Sequence, residues 1–275
     1  MEPYFHWDVS PEIVTIGPFV LRWYGVCFAL AFVVGLIVIT RVFRREGKGE
    51  KDIDRLLVAM LAGTILGARL GHCLLYEPAY FLSHPAEIPL IWKGGLASHG
   101  AVAGMAIALW IYQRRRPDQP FLWLLDRVAI TAAPGACLIR MGNLFNSEIV
   151  GVPTTVPWAF LFARVDRFQA RHPAQLYEAL SYLAIFVLLA LIYRRTGKAT
   201  PRGLLLGVLF VSVFTARFFI EFLKERQAAF GEDFFLSMGQ ILSIPLVAIG
   251  LLLILRALAA GRKAPPVGWE KENAG

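Results

Sequence analysis

Seven apolar segments repeat along the sequence, each close to the roughly 20 residues a helix needs to cross a hydrocarbon core, and they constrain the chain more than any other feature. They cover residues 19–40, 56–75, 94–113, 121–138, 174–193, 203–223 and 236–255. Backbone N–H and C=O groups in lipid must be satisfied within the segment, so segments of this kind fold as helices. The expected fold is all-α: a polytopic membrane bundle of seven transmembrane helices. Seven spans use most of the 275 residues, which leaves one integral membrane domain, 1–275, and no separate soluble domain. With 57% apolar and 17% charged residues, the composition lies outside that of soluble globular proteins. The fourth segment is the shortest, contains Asp126 and Arg127, and is expected to bend at Pro134.

The formal net charge of +8 sits in short clusters between the apolar runs, not along one polar face, which argues against a nucleic-acid partner. Basic clusters follow the first segment (Arg41, Arg44, Arg45, Lys48, Lys51), the third (Arg114, Arg115, Arg116), the fifth (Arg194, Arg195, Lys198, Arg202) and the seventh (Arg256, Arg262, Lys263). The connection 77–93 carries only Lys93 against Glu77 and Glu87. This alternation predicts a cytoplasmic C-terminus, with residues 258–275 as a tail, and an N-terminus outside. The connection 139–173 holds Pro153, Pro157 and Pro173 and a polar run from Ala163 to His172, and is expected to form a small outer head. The N-terminus is acidic and lacks the basic region of a cleavable signal, so the first span is expected to persist. Cys27, Cys73 and Cys137 fall inside apolar stretches without CxxC spacing and read as small buried side chains, not as disulfide or zinc sites. Gly63, Gly67 and Gly71, and likewise Gly100 and Gly104, recur every four residues, the spacing of a face for close helix approach.

Measured at about 1.5 Å per residue from the outer end of each span, the polar residues fall in one layer about 10 Å deep. It contains Arg22, Tyr24, Arg69, His72, His99, Arg140, Tyr177, Glu178, Arg217, Glu221 and Gln240, while Asp126 and Arg127 lie near the inner end. A charge deep in a span costs about 2.5–3.5 kcal/mol, so Arg69 and Arg217 require partners or a function. Arg217 and Glu221 share a helix face at i, i+4, which offers one pairing. Six spans contributing to one layer imply a cation-rich polar cavity in the outer half of the bilayer. Guanidinium groups suit a lipid phosphate, and a histidine with an ordinary pKa near 6.5 suits proton abstraction, which together suggest group transfer. A transporter or channel is the main alternative, followed by an intramembrane hydrolase and a purely structural scaffold. Against a hydrolase, Ser98 and His99 are adjacent on a helix and point in different directions.

The run Arg140-Met141-Gly142-Asn143-Leu144-Phe145-Asn146-Ser147-Glu148, closed by Gly151, resembles the signature of the prolipoprotein diacylglyceryl transferase family. Four further pieces are similar to that family in the same order: Arg22-Trp23-Tyr24-Gly25, Gly94 to Gly100, Arg171 to Glu178, and Ser237 to Pro245. The resemblance covers nearly the whole chain. It implies transfer of the diacylglyceryl group of phosphatidylglycerol to the lipobox cysteine thiol of a preprolipoprotein, with release of glycerol phosphate. It places the reaction at the outer face of the bacterial cytoplasmic membrane and implies neither metal nor organic cofactor. Carried over residue by residue, it makes Arg140 the ligand of the lipid phosphate, Asn143, Asn146, Glu148 and Gly151 the rest of that loop, and His99 the base. Arg217 is expected to stabilise charge on the departing phosphate, with Tyr24, Arg69, Tyr177 and Glu221 contributing to substrate binding. The chain departs from the family pattern at Ile139, where Gly is usual, at Leu144, where Phe is usual, and at Val213, where a Tyr usually precedes the span-six arginine by four residues.

Overall fold

The structure, a computed structural model, describes residues 4–17, 19–225 and 236–263, so residues 264–275 of the expected tail lie outside the described residues. It is mostly helical. Helices α1 (Trp23–Arg45), α2 (Glu50–Gly71), α3 (Pro78–Ser83), α4 (Ser98–Arg114), α5 (Phe121–Phe145), α6 (Ala174–Thr196), α7 (Leu204–Ile220) and α8 (Met238–Lys263) follow in chain order. Among the described residues, six helices are long and apolar enough to cross a membrane: α1, α2 with the π turn that extends it to Tyr76, α5, α6, α7 and α8. The segment expected as the third span forms α4, whose 17 residues rise about 26 Å at 1.5 Å each, slightly short of the hydrocarbon thickness. The chain divides into two compact units, Met1–Ile39 with Asp126–Gly275, and Thr40–Leu125.

In the smaller unit the glycine faces do what their spacing predicts. Gly63, Gly67 and Gly71 of α2 meet Gly104 and Gly100 of α4 in antiparallel order, backbone against backbone. A methyl on Gly67 would overlap the Gly100 carbonyl, and one on Gly104 would overlap the Gly63 carbonyl. In lipid, helices associate through close packing and not through the hydrophobic effect, so this contact is what joins α2 to α4. At the other end of the pair, Asp52 is buried with Gln119, whose Nε2 donates to its Oδ2 (3.3 Å), and pairs with Arg116.

The larger unit departs from an all-α fold in small ways. Residues 19–22 were expected at the start of the first span. Instead strand β2 (Glu12–Ile16) pairs antiparallel with β3 (Phe19–Arg22), and α1 begins at Trp23. Gly17 turns this hairpin with φ +58°, and the β-branched residues flanking it favour strands. Arg22 therefore sits exposed at the hairpin's open end, 3.2 Å from Glu12, instead of inside a span. Strand β1 (Phe5–Trp7) pairs in parallel with β4 (Phe160–Phe162) in the 139–173 connection. Leu144, Val150 and Phe162 form a core there, covered by Trp7, Met141, Phe160 and Leu176. The fourth segment runs further than expected, to Phe145, with Pro134 inside the helix.

Asp126 also finds a structural use. Fully buried, it accepts hydrogen bonds from the backbone N–H groups of Gly203 (2.6 Å) and Leu206 (2.9 Å), at the start of α7. An anion at a helix N-terminus satisfies orphan donors and opposes the positive end of the dipole. Gly207 and Gly250 bring α7 and α8 together as the glycines of α2 and α4 do.

Substituting Gly67 or Gly104 with Ala should lower the stability of the purified protein in detergent by about 1–3 kcal/mol, the usual cost of overpacking a close contact. Gly25→Ala, with nothing within 4 Å of the added methyl, should not. Thermal denaturation of the three variants distinguishes them.

Candidate functional site

The signature loop is built around the C-terminal end of α5. Arg140 Nη1 donates to Asn143 Oδ1 (3.1 Å). Asn143 Nδ2 in turn donates to Glu148 Oε1 (2.7 Å), which also accepts from Asn146 Nδ2 (3.2 Å). The chain reverses after α5 through Ser147 (φ 55°) and Ile149 (φ 61°), and the Glu148 carbonyl is held by Gln175 Nε2 (2.7 Å). Two asparagines at a three-residue spacing can thus share one carboxylate.

Gly151 closes the loop because nothing larger fits. A methyl there would lie 2.5 Å from His172 Cβ and 2.6 Å from the carbonyl oxygens of His172 and Leu223. Its N–H donates to the His172 carbonyl (2.9 Å) and its carbonyl accepts from Arg171 Nη1 (3.3 Å). Gly142 has a similar role, since an added methyl would come within 2.9 Å of the Tyr24 ring. Tyr24 accordingly lies against α5.

Arg140 also binds sideways into α6. Its Nε lies 2.8 Å from Oε2 of Glu178, whose side chain has 0% exposure. The same carboxylate accepts from Lys224 Nζ at Oε1 (3.3 Å), and Lys224 reaches on to Glu221 Oε2 (3.1 Å). Glu221 Oε1 accepts from Ser237 Oγ (3.1 Å), while Gly239 leaves no room for a side chain beside that carboxylate. Ser237 and Gln240 form a capping box on α8: Gln240 N donates to Ser237 Oγ (3.3 Å) and Ser237 N donates to Gln240 Oε1 (2.9 Å). The expected i, i+4 partner of Glu221 was Arg217; the carboxylate is taken by Lys224 and Ser237 instead. Arg217 is half-buried on α7.

Tyr177 belongs to a separate chain of bonds at the start of α6. Trp158 Nε1 donates to its hydroxyl (2.8 Å), which leaves the O–H to donate to His172 Nδ1 (3.0 Å). Burial holds the His172 imidazole below its ordinary pKa, consistent with a neutral acceptor ring.

The smaller unit holds the remaining expected residues. Arg69 is 5% exposed, and four backbone carbonyls receive its donors: Ile88 from Nε (2.8 Å), Gly94 (2.6 Å) and Gly95 (3.2 Å) from Nη1, and Glu87 from Nη2 (2.8 Å). Its guanidinium thus ties down the loop before α4. The Ala97 N–H donates to the Ala68 carbonyl (2.9 Å), fixing the entry to that helix. His99 follows in the first turn of α4, exposed, at one end of an open apolar groove of about 1150 Å³ between α2 and α4. His72 packs at Gly95 and stacks on Tyr76.

The larger unit therefore links Arg140 to Asn143, Asn146 and Glu148 on one side and, through Glu178 and Lys224, to Glu221 on the other, with Tyr24 against α5; it also holds Arg217 on α7, while the smaller unit holds Arg69 and His99. Sequence reading missed Lys224 and the bridging use of Glu178. Lys224 lies one residue past the sixth apolar segment, 203–223, outside the stretch in which buried charges stand out.

The prolipoprotein diacylglyceryl transferase family model matches residues 11–256. A protein of Chloroherpeton thalassium named phosphatidylglycerol--prolipoprotein diacylglyceryl transferase is 55% identical over 93% of this chain and 95% of its own length. Proteins of the same name from Tolumonas auensis and Porphyromonas gingivalis are 46% and 42% identical, over 94% and 92% of this chain and 98% and 94% of their own lengths.

Removing a fully buried bridging carboxylate strands two cations, a loss of about 3–5 kcal/mol for such a site. Glu178→Leu should therefore destabilise the detergent-solubilised protein more than Lys224→Met, which leaves the Arg140 pair intact. In a double-mutant cycle by thermal denaturation the two changes should couple by about 0.5–3 kcal/mol. Strictly additive losses would show that the bridge does not act as a network.

Proposed function

Because the chain belongs to the prolipoprotein diacylglyceryl transferase family, we propose that it transfers the diacylglyceryl group of phosphatidylglycerol to the lipobox cysteine of a preprolipoprotein. This is the first step of lipoprotein maturation. The observation that carries the reading is the tethering of Arg140 at Nε by Glu178 and at Nη1 by Asn143, which leaves further N–H donors of a fixed, planar cation for a phosphate.

In the proposed reaction His99 takes the proton of the cysteine thiol, whose ordinary pKa of about 8.5 leaves it mostly protonated near neutrality. The thiolate attacks the glycerol carbon that bears the phosphate ester. The C–S bond forms as the C–O bond breaks, and glycerol phosphate leaves with the electron pair. Arg140 and Arg217 hold the charge that gathers on the leaving group. Asn143, Asn146 and Glu148 keep Arg140 in place, Gly151 lets the loop close, and Tyr24, Tyr177 and Glu221 line the lipid site. Arg69 acts at one remove, by fixing the loop that leads to His99. No cofactor takes part.

The protein is a multi-pass membrane protein. We place it as a single domain in the bacterial cytoplasmic membrane, with α4, laid along α2 by the glycine contact, as a seventh span. The basic clusters then put the N-terminus and active site on the outer side, the segment after α5 in a small outer head, and the C-terminus in the cytoplasm.

The purified protein, given phosphatidylglycerol and a lipobox peptide, should add a diacylglyceryl group to the peptide, seen as a mass gain. A Cys→Ser peptide should gain nothing. His99→Gln should cost about 10²–10⁴-fold in rate, and Arg140→Lys, which keeps the charge and loses the fork, about 10²-fold or more. Absence of thioether with the cysteine peptide would overturn the reading.

A further inference from the structure

The proposed reaction uses only the His99 end of the groove between α2 and α4. All of its lining residues belong to the smaller unit, and along α2 they run from Asp54 to Leu75, a length of about 30 Å. That is about the thickness of a hydrocarbon core. The groove follows from the glycine contact. Where Gly63, Gly67 and Gly104 bring the backbones together, the flanking side chains stand above a floor that has none. Val58, Leu66, Leu74 and Ile107 line it and are each more than half exposed, so none of the described residues covers them. An acyl chain, narrow and flexible, fits a crease of this kind.

The end far from His99 has a different character. Asp54, Arg55, Arg115 and Arg116 line it. Arg116 is committed to Asp52 and Asp118. Arg55 and Arg115 are exposed and have no hydrogen-bond or ion-pair partner among the described residues. Asp54 is the one carboxylate in the lining, so two unpaired guanidinium groups leave this end positive. Guanidinium holds phosphate oxygens through a planar fork, and basic pockets between spans on the cytoplasmic side hold anionic headgroups. We propose that the groove binds an anionic phospholipid of the cytoplasmic leaflet, its phosphate on Arg55 and Arg115 and an acyl chain along the α2–α4 crease.

This lipid is not the one consumed. Arg115 lies sixteen positions from His99 along α4, about 24 Å, too far for a phosphate held there to leave during attack at His99. Charge also decides against a signal peptide as the occupant. A signal peptide carries its basic residues before its apolar run, and in the orientation proposed above they would meet Arg55 and Arg115.

Native mass spectrometry of the full chain in detergent, titrated with phosphatidylserine or with phosphatidylcholine of the same acyl chains, reads the binding directly. The wild type should hold phosphatidylserine about tenfold more tightly or better. Arg55→Gln/Arg115→Gln should lose that factor and keep its affinity for phosphatidylcholine. Each single variant should lose part of it, which keeps the test open if the double variant does not fold. Ala103→Trp, filling the groove from an exposed position, should weaken both lipids. A ligand of the folded state raises the thermal midpoint, so phosphatidylserine should raise that of the wild type and not that of the double variant.

A preference for phosphatidylserine that survives both arginine substitutions overturns the proposal. Its loss in Arg140→Lys would put the retained lipid at Arg140, and also overturns it. So do dimers that Ala103→Trp converts to monomers, which would make the groove an interface between copies, and displacement of phosphatidylserine by a lipobox signal peptide. None of these readouts measures transfer, so the proposal fails or stands apart from the reaction assigned above.

Discussion

A carboxylate with no access to solvent is the constraint around which the larger unit is arranged. Glu178 cannot stay ionised in an apolar helix without counter-charge, and it takes two cations, Arg140 from α5 and Lys224 from beyond α7. Lys224 passes the connection to Glu221, and Glu221 passes it to Ser237 at the cap of α8. One line of ionic and hydrogen-bonded contacts thus runs from α5 through α6 and the residues after α7 to the cap of α8. The signature loop depends on the same point, because Arg140 can orient Asn143, and through it Glu148, only while its own guanidinium is held. Backbone bonds reinforce the arrangement: Val152 N–H donates to the Leu223 carbonyl and Glu225 N–H to the Val150 carbonyl, sewing the loop to the residues that flank Lys224.

The smaller unit solves a different problem with different means. Its helices α2 and α4 present mainly apolar surface, for which lipid competes as well as protein does, so they are joined by shape. Three glycines on one helix and two on the other bring the backbones close enough that any side chain would intrude. Arg69 then uses the polar capacity of this unit for architecture. Four carbonyls of the loop before α4 accept from this one buried guanidinium, which ties them together.

Much of this was legible in the sequence where a single residue type carries the physics. The glycine period foretold faces for close helix approach, which α2 and α4 turn on each other, and the order of motifs around Arg140 foretold a loop that holds Asn143, Asn146 and Glu148. Reading failed where the answer depended on which partner is nearest in space. Glu221 was paired with Arg217 by helix spacing, yet Lys224, three residues on, takes it. Arg22 was assigned to a span because apolar residues precede it; residues 19–21 belong to a hairpin, whose alternating strand geometry an apolar count does not register. The buried Asp126 looked anomalous in a span, and only the arrival of the α7 N-terminus, 77 positions away at Gly203, accounts for it. Gln240, grouped by depth with the ionisable layer, serves the cap of its own helix.

The cation-rich layer inferred from sequence acquires a different meaning once the partners are known. In the larger unit the cluster's cations Arg140 and Lys224 stand among three carboxylates, Glu148, Glu178 and Glu221. An anion is then selected by where N–H groups point and not by a surplus of positive charge. That balance suits the proposed reaction. The lipid phosphate enters as a diester with one charge and leaves as a monoester with more, so a strongly cationic pocket would bind the product more tightly than the substrate and retard its release. A guanidinium whose charge is already compensated by Glu178 gives directional bonds to the oxygen on which charge develops, with less electrostatic penalty for letting the product go. On this argument Glu178 and the residues that orient Arg140, more than the count of arginines, set how well the site distinguishes a departing phosphate from a resident one.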